Sequence, residues 1–286
     1  MKMKRTFFLP VLFASFIFGS CGENGNNTPS SSDSPVAAGD SSMTVSIKEE
    51  NVDIAVDTTT MKCFVAYDEN KKGNEPIVVV VPEWWGVNDF TKNKAKQLAN
   101  EGYFAIVVDM YGQGRTADNP DAAMGYAGGY YKNPHLATGR IEAAFNKAKT
   151  YPQADRSKTA AIGFCFGGTM VLNAAKLGAR IDGVVSFHGG LQGVAPAKNT
   201  VKSKILVLNG AADPYVPAKD VANFKKQLDS AGVPYTFKDY PGALHAFTNP
   251  QSDENARKFK LAVGYNEAAD KNSWNDMKSF FADLWK

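Results

Sequence analysis

The sequence predicts an α/β fold, with a mostly parallel central β-sheet flanked by helices on both faces. Two observations carry that reading. From about residue 44 to the C-terminus, short aliphatic runs alternate with amphipathic segments, the rhythm of strands joined by crossover helices. Several of the runs, 76–81 and 104–109 among them, are almost uninterruptedly apolar, as a strand buried on both faces must be.

The elements follow in order. Residues 44–48 and 62–67 alternate apolar and polar side chains and read as strands. Residues 76–81 (PIVVVV) form a buried strand, and 89–100 a helix with Asp89 as candidate cap. A strand over 104–109 (FAIVVD) and a helix over 134–150 come next. A strand at 159–164 runs almost directly into a helix at 166–177. Strands at 183–187 and 204–209, a helix at 218–230 and a strand at 235–240 follow. Helices over 254–266 and 273–284 close the chain. Residues 44–286 therefore make one domain, with no internal repeat.

Composition narrows the function. Hydrophobic residues make up 44% of the 286, enough to build a core without disulfide or metal staples. Lys and Arg number 32 against 29 Asp and Glu, and Lys2, Lys4 and Arg5 account for the whole surplus. A balanced remainder excludes a basic nucleic-acid surface. The three histidines (His135, His188, His245) are too few for a multi-histidine metal site. The three cysteines (Cys21, Cys63, Cys165) make no disulfide framework.

The first twenty residues read as an address. Lys2, Lys4 and Arg5 precede an apolar stretch over 7–18, and Gly19-Ser20-Cys21 follows. Charge, a short apolar run and then small residues is the export-signal pattern, and the run is short for a bilayer span. The ending resembles the lipobox of bacterial lipoproteins, which implies lipidation of Cys21 after removal of residues 1–20. Phe18 stands where an aliphatic residue is usual. Residues 21–43 are rich in Gly, Asn, Ser, Pro and Asp, the composition of a flexible tether. The expectation is an exported lipoprotein of the cell envelope, joined to a membrane through its N-terminal lipid.

The chemistry sits at strand ends. Gly163-Phe164-Cys165-Phe166-Gly167-Gly168 lies between a strand and a helix, matching the nucleophile elbow G-x-S-x-G with Cys in place of Ser. Small neighbours let the chain turn sharply, and the helix N-terminus beyond favours a thiolate. An acid and then a histidine must follow in that order. Asp213 comes just after the 204–209 strand and His245 just after the 235–240 strand, at the carboxyl ends where open α/β sheets place their sites.

These residues carry a resemblance. The G-x-C-x-G-G elbow, the Gly210-Ala211-Ala212-Asp213-Pro214-Tyr215-Val216-Pro217 segment and the Gly242-Ala243-Leu244-His245-Ala246-Phe247 segment are similar to the dienelactone hydrolase family of the α/β-hydrolase fold. Pro82-Glu83-Trp84-Trp85-Gly86-Val87 resembles the acidic loop of that family. The resemblance covers about residue 43 to the C-terminus. It implies hydrolysis of a small ester or lactone by a Cys165, His245 and Asp213 triad, with Glu83 taking the thiol proton when substrate displaces it. Backbone N–H groups of Phe166 and Trp84 would form the oxyanion hole. No metal or organic cofactor is implied, and the domain is expected to act as a monomer.

Other residues weigh less. His188 follows a strand but precedes Asp213, so it is expected in the pocket wall rather than as the base; Trp84, Trp85 and Tyr131 are expected to line the same pocket. Cys63 reads as core packing. Family members that act on carboxylated lactones hold the carboxylate with arginines. At the position four residues after the histidine this chain has Asn249, and residues 124–131 (MGYAGGYY) contain no Arg. That departure implies a preference for neutral esters or lactones, unless Arg115, Lys132 or Arg140 has taken over the task. The alternatives are a non-enzymatic binding protein on this fold and a redox-responsive thiol protein using Cys63.

Overall fold

The computed structural model describes residues 45–286, so the export signal, the tether and Cys21 all lie outside the described residues. Eight strands form one sheet in the order β1-β2-β4-β3-β5-β6-β7-β8. The strands are β1 (Ile47–Val56), β2 (Thr59–Asp68), β3 (Glu75–Val81), β4 (Phe104–Val107), β5 (Ala154–Phe164), β6 (Gly183–Phe187), β7 (Lys204–Gly210) and β8 (Tyr235–Tyr240). β1 and β2 pair antiparallel, β2 meets β4 antiparallel, and every pairing from β4 through β3 to β8 is parallel.

The aliphatic strands divide their side chains between two cores because successive residues face opposite sides of a sheet. Ile77, Val79 and Val81 of β3 join one core with α3 (Pro134–Ala148), α4 (Phe166–Lys176) and α5 (Ala218–Ala231). Val78 and Val80 join the other with α1 (Asp89–Asn100) and α7 (Glu267–Leu284). Both faces are thus covered, as the continuous hydrophobic runs require.

Several boundaries differ from expectation, each for a local reason. The first strand is Ile47–Val56 rather than 44–48, and it turns through Asp57-Thr58 into β2, which starts at Thr59. Its outer face is charged, but Val52 and Ile54 point inward at alternate positions. The cap of α1 is Asn88, not Asp89: Asn88 Oδ1 accepts from the Thr91 N–H at 3.1 Å and Thr91 Oγ1 accepts from the Asn88 N–H at 3.2 Å, a reciprocal box. Helix α2 (Pro120–Lys132) was not expected, because its three glycines obscure a helical pattern. It is started by Asn119, whose Oδ1 accepts from the Ala122 N–H at 3.0 Å, and by Pro120. β5 begins at Ala154 rather than 159.

Near the C-terminus, the helix expected over 254–266 is α6 (Ser252–Phe259), which stops where Lys260 takes φ 54°. The released loop runs beside the segment after β8: Val263 bridges His245, and Phe247 O accepts from the Asn266 N–H at 3.0 Å. Helix α7 then starts at Glu267, earlier than expected, under an Asn266 cap. Among the described residues no helix is long and apolar enough to cross a membrane.

Candidate active site

Five strand ends converge on one edge of the sheet. β5 delivers Cys165, β3 Glu83, β6 His188, β7 Asp213 and β8 His245. All five strands are mutually parallel, so their carboxyl ends, and the loops that carry these side chains, lie on the same side.

Cys165 occupies a sharp strand-to-helix turn at φ 53°, ψ −114°. Positive φ costs an L-residue free energy that the surroundings must enforce. Here a Cβ on Gly163 would lie 2.2 Å from the Gly167 carbonyl, and one on Gly167 would lie 2.2 Å from Val81 O. Only glycine allows the elbow to close and α4 to press on the β3 end. The Cys165 N–H is held by Phe187 O at 3.0 Å and by His188 Nδ1 at 3.1 Å.

The sulfur faces His245. Nε2 of His245 lies 3.0 Å from Cys165 Sγ, and Nδ1 lies 2.7 Å from Asp213 Oδ2. The second oxygen of Asp213 accepts from the Tyr215 N–H at 2.8 Å. The loops carrying the acid and the histidine approach closely, since a Cβ on Gly210 would lie 2.6 Å from Ala243 O. Burial alone would lower the His245 pKa. The interactions with Cys165 and with the Asp213 carboxylate outweigh it and lift His245 well above the ordinary histidine range.

Glu83 is 2% exposed and faces the same cavity. Its Oε2 accepts from Asn249 Nδ2 at 2.7 Å. Burial pushes the Glu83 carboxyl up to about 7; the Asn249 bond and the charges of His245 and Lys94 pull in the opposite direction. Asn249, expected only as a missing substrate-binding arginine, is in fact an inward-facing partner of Glu83 and is itself 2% exposed.

His188 is placed differently from expectation. It is 1% exposed and does not line the cavity. Because Nδ1 accepts from the Cys165 N–H, Nε2 carries the proton and donates to Thr248 Oγ1 at 2.8 Å. Burial, reinforced by the charge of His245, keeps its pKa well below the usual value, so it is a neutral brace behind the elbow. No local sequence signal marks this role, because the elbow N–H also has Phe187 O as an acceptor.

A cavity of about 540 Å³ opens over Cys165, and Trp84, Trp85, Tyr131 and Phe166 all contribute to its lining. Trp84 and Trp85 meet edge-to-face at 5.2 Å, Trp85 stacks on Phe259 at 5.8 Å, and Tyr131 stands edge-on to Phe166 at 5.6 Å. Tyr111, not singled out from sequence, fixes the Trp84 loop by donating its hydroxyl hydrogen to Trp84 O at 2.9 Å. The charged or titratable side chains of the lining are Glu83, Asp220, Cys165 and His245, with Tyr131 and Tyr215; Arg115, Lys132 and Arg140 are not part of it. Cys63 lies in the core of β2, where burial pushes its thiol up to about 12. Among the described residues no cluster of three His, Cys, Asp or Glu side chains could hold a metal ion.

Comparison with known proteins places the chain in a family. Residues 61–285 match the profile of the dienelactone hydrolase family. A Synechocystis sp. protein, named provisionally as a carboxymethylenebutenolidase, is 27% identical, over 84% of this chain and 98% of its own. A Bradyrhizobium sp. protein, named provisionally as a 2-oxo-3-(5-oxofuran-2-ylidene)propanoate lactonase, is 26% identical, over 71% of this chain and 82% of its own. Among solved structures, a metagenomic dienelactone hydrolase-like promiscuous phosphotriesterase superposes with a TM-score of 0.76 at 31% identity, covering 83% of this chain and 98% of its own.

Proposed function

Because the chain belongs to the dienelactone hydrolase family and has the α/β-hydrolase fold, we propose that it hydrolyses neutral carboxylic esters or lactones through a cysteine acyl-enzyme. The observation that carries this reading is the unbroken line from Cys165 Sγ through His245 to Asp213, at 3.0 and 2.7 Å.

The steps follow from the residues. Glu83 takes the proton of the Cys165 thiol, and the resulting thiolate attacks the carbonyl carbon beside His245, which is held as an imidazolium; when the thioester is cleaved, Glu83 returns that proton to the sulfur. The charge that develops on the carbonyl oxygen is met by two backbone donors. One is the Phe166 N–H at the first turn of α4, which a helix leaves without an internal acceptor; the other is the Trp84 N–H on the facing loop. His245 gives its proton to the departing alkoxide, then takes one from the water that cleaves the thioester. Asp213 fixes the Nδ1–H tautomer throughout. Glu83 is the local proton acceptor for the thiol, and its raised pKa suits it to trade a proton near neutral pH.

Neutral substrates fit because the lining contains Glu83 and Asp220 and neither Lys nor Arg. A free carboxylate would meet no bidentate cation there. The family makes a purely non-enzymatic role the less favoured reading. We propose further that Cys21 is lipidated and anchors an exported envelope protein, on the strength of the sequence pattern around it.

An ester and lactone panel on the purified protein tests the catalytic reading. Cys165→Ala should lower kcat/KM by about a thousandfold or more, while Cys165→Ser retains a trace, since a hydroxyl is far less acidic than a thiol. A methyl ester should be preferred over the matching free carboxylate by tenfold, about 1.4 kcal/mol. Equal turnover by wild type and Cys165→Ala ends the cysteine mechanism, and tenfold preference for the carboxylate ends the neutral-substrate reading.

A further inference from the structure

Helix α4 carries a polar stripe away from the elbow. Cys165, Thr169 and Asn173 are spaced four residues apart and all line the cavity, as side chains on one helical face do. Thr169 Oγ1 is turned toward Cys165 O at 3.4 Å. Asn173 is 1% exposed, and its Oδ1 accepts from the Val194 N–H at 2.9 Å. That bond settles which amide atom remains: the carbonyl holds the loop after β6, so Nδ2, with two N–H donors, is what Asn173 offers the cavity. The loop presses tightly on this side chain, since a Cβ on Gly193 would lie 2.3 Å from Asn173 Oδ1. The donor is therefore fixed in place, and a fixed donor discriminates better than a mobile one.

Resting on the ester-hydrolase reading, we propose that Asn173 is a specificity-determining residue. Its Nδ2 donates to a neutral acceptor, a ketone, ester or amide carbonyl, at the far end of a substrate arm lying along α4. Eight residues of helix separate it from Cys165, about 12 Å along the axis, and its side chain leans back toward the helix N-terminus. The acceptor should thus sit roughly 8–10 Å from the reacting carbonyl, some six to eight bonds along an extended arm. Leu191 and Val216 supply apolar walls to the same cavity. Asp220 also lines it, its Oδ2 accepting from Gln192 Nε2 at 2.7 Å, so an anionic group at the end of the arm would be repelled rather than held.

Two series of esters test this, one bearing an oxo group at successive positions of the acyl arm and one along the alcohol arm, each paired with its plain alkyl parent. For wild type, the oxo-to-alkyl ratio of kcat/KM should peak at about fivefold or more at one chain length in one series, the discrimination of a single neutral hydrogen bond. Asn173→Asp keeps an acceptor for the Val194 N–H but removes the donor, so the peak ratio should fall to one or below. A ratio flat across lengths in both wild-type series, or a peak retained in Asn173→Asp, overturns the assignment. If that variant does not fold, Asn173→Leu, close in volume and without a donor, takes its place, and a peak retained there overturns the assignment as well. Absence of turnover for every ester removes this proposal together with the hydrolase reading; a flat ratio with good turnover removes this one alone.

Discussion

At the scale of single residues, the site is built from groups that are costly where they stand. Cys165 sits at positive φ, His245 buried between a sulfur and a carboxylate, and Glu83 as a carboxyl almost without solvent. Glu83 gives the clearest consequence for stability. Its folded pKa, about 7, lies above the ordinary value of 4.5. The folded protein therefore holds that proton more tightly than the unfolded chain does. Its contribution is lost as pH rises from about 4.5 to about 7, and above that range the ionised carboxylate carries the full penalty. Glu83→Gln keeps an oxygen for Asn249 and removes the charge. We expect it to gain roughly 2–3 kcal/mol more stability at pH 8 than at pH 5, read from denaturant midpoints at the two pH values. An equal effect at both would show that the carboxyl is not penalised by burial. Turnover should fall in the same variant, because the thiol loses its proton acceptor.

At the scale of elements, α2 is the weak member. It carries Met124 and Tyr131 on the cavity wall, yet Gly125, Gly128 and Gly129 lie within it. None of the three is required by space, since a Cβ added at any of them would meet nothing within 4 Å. Glycine inside a helix costs about 0.5–1 kcal/mol relative to alanine. The triple Gly→Ala variant of α2 should therefore raise Tm by roughly 4–8 °C for a domain of this size. A lower Tm in a thermal scan would mean that these positions are packed after all. By contrast, the elbow glycines are fixed by backbone contacts at 2.2 Å, and alanine at Gly163 or Gly167 is expected to break the turn.

At the scale of the whole molecule, the parallel sheet gathers its site from across the chain. Glu83, Cys165, His188, Asp213 and His245 span more than half of the sequence, and only the common direction of β3, β5, β6, β7 and β8 brings them to one edge. Charge adds little, because the surplus of three belongs to Lys2, Lys4 and Arg5. That surplus is the positive segment of the proposed export signal, and it leads to the prediction for the intact protein. Mass spectrometry of the mature N-terminus in a lipoprotein-processing bacterium should find a chain that begins at Cys21 and carries lipid. Cys21→Ala should remove the lipid. An unmodified terminus beyond residue 21 would overturn the anchor.

The sequence by itself determined the fold class and picked out the proposed reacting groups. Strands buried on both faces must be continuously apolar, and that pattern is legible without coordinates. The elbow, the acid and the histidine are likewise legible, because a sharp turn demands glycine and each following residue comes just after a strand. What the sequence left open depends on contacts between segments far apart in the chain. That His188 braces the Cys165 N–H instead of facing substrate, that Asn249 turns onto Glu83, and that Asn173 keeps a free donor after binding the loop at Val194 are all decided by pairings across the fold. Local spacing carries no information about them: a hydrogen bond across 23 or 166 positions of chain exists only once the sheet has folded and left each buried polar group to find a partner.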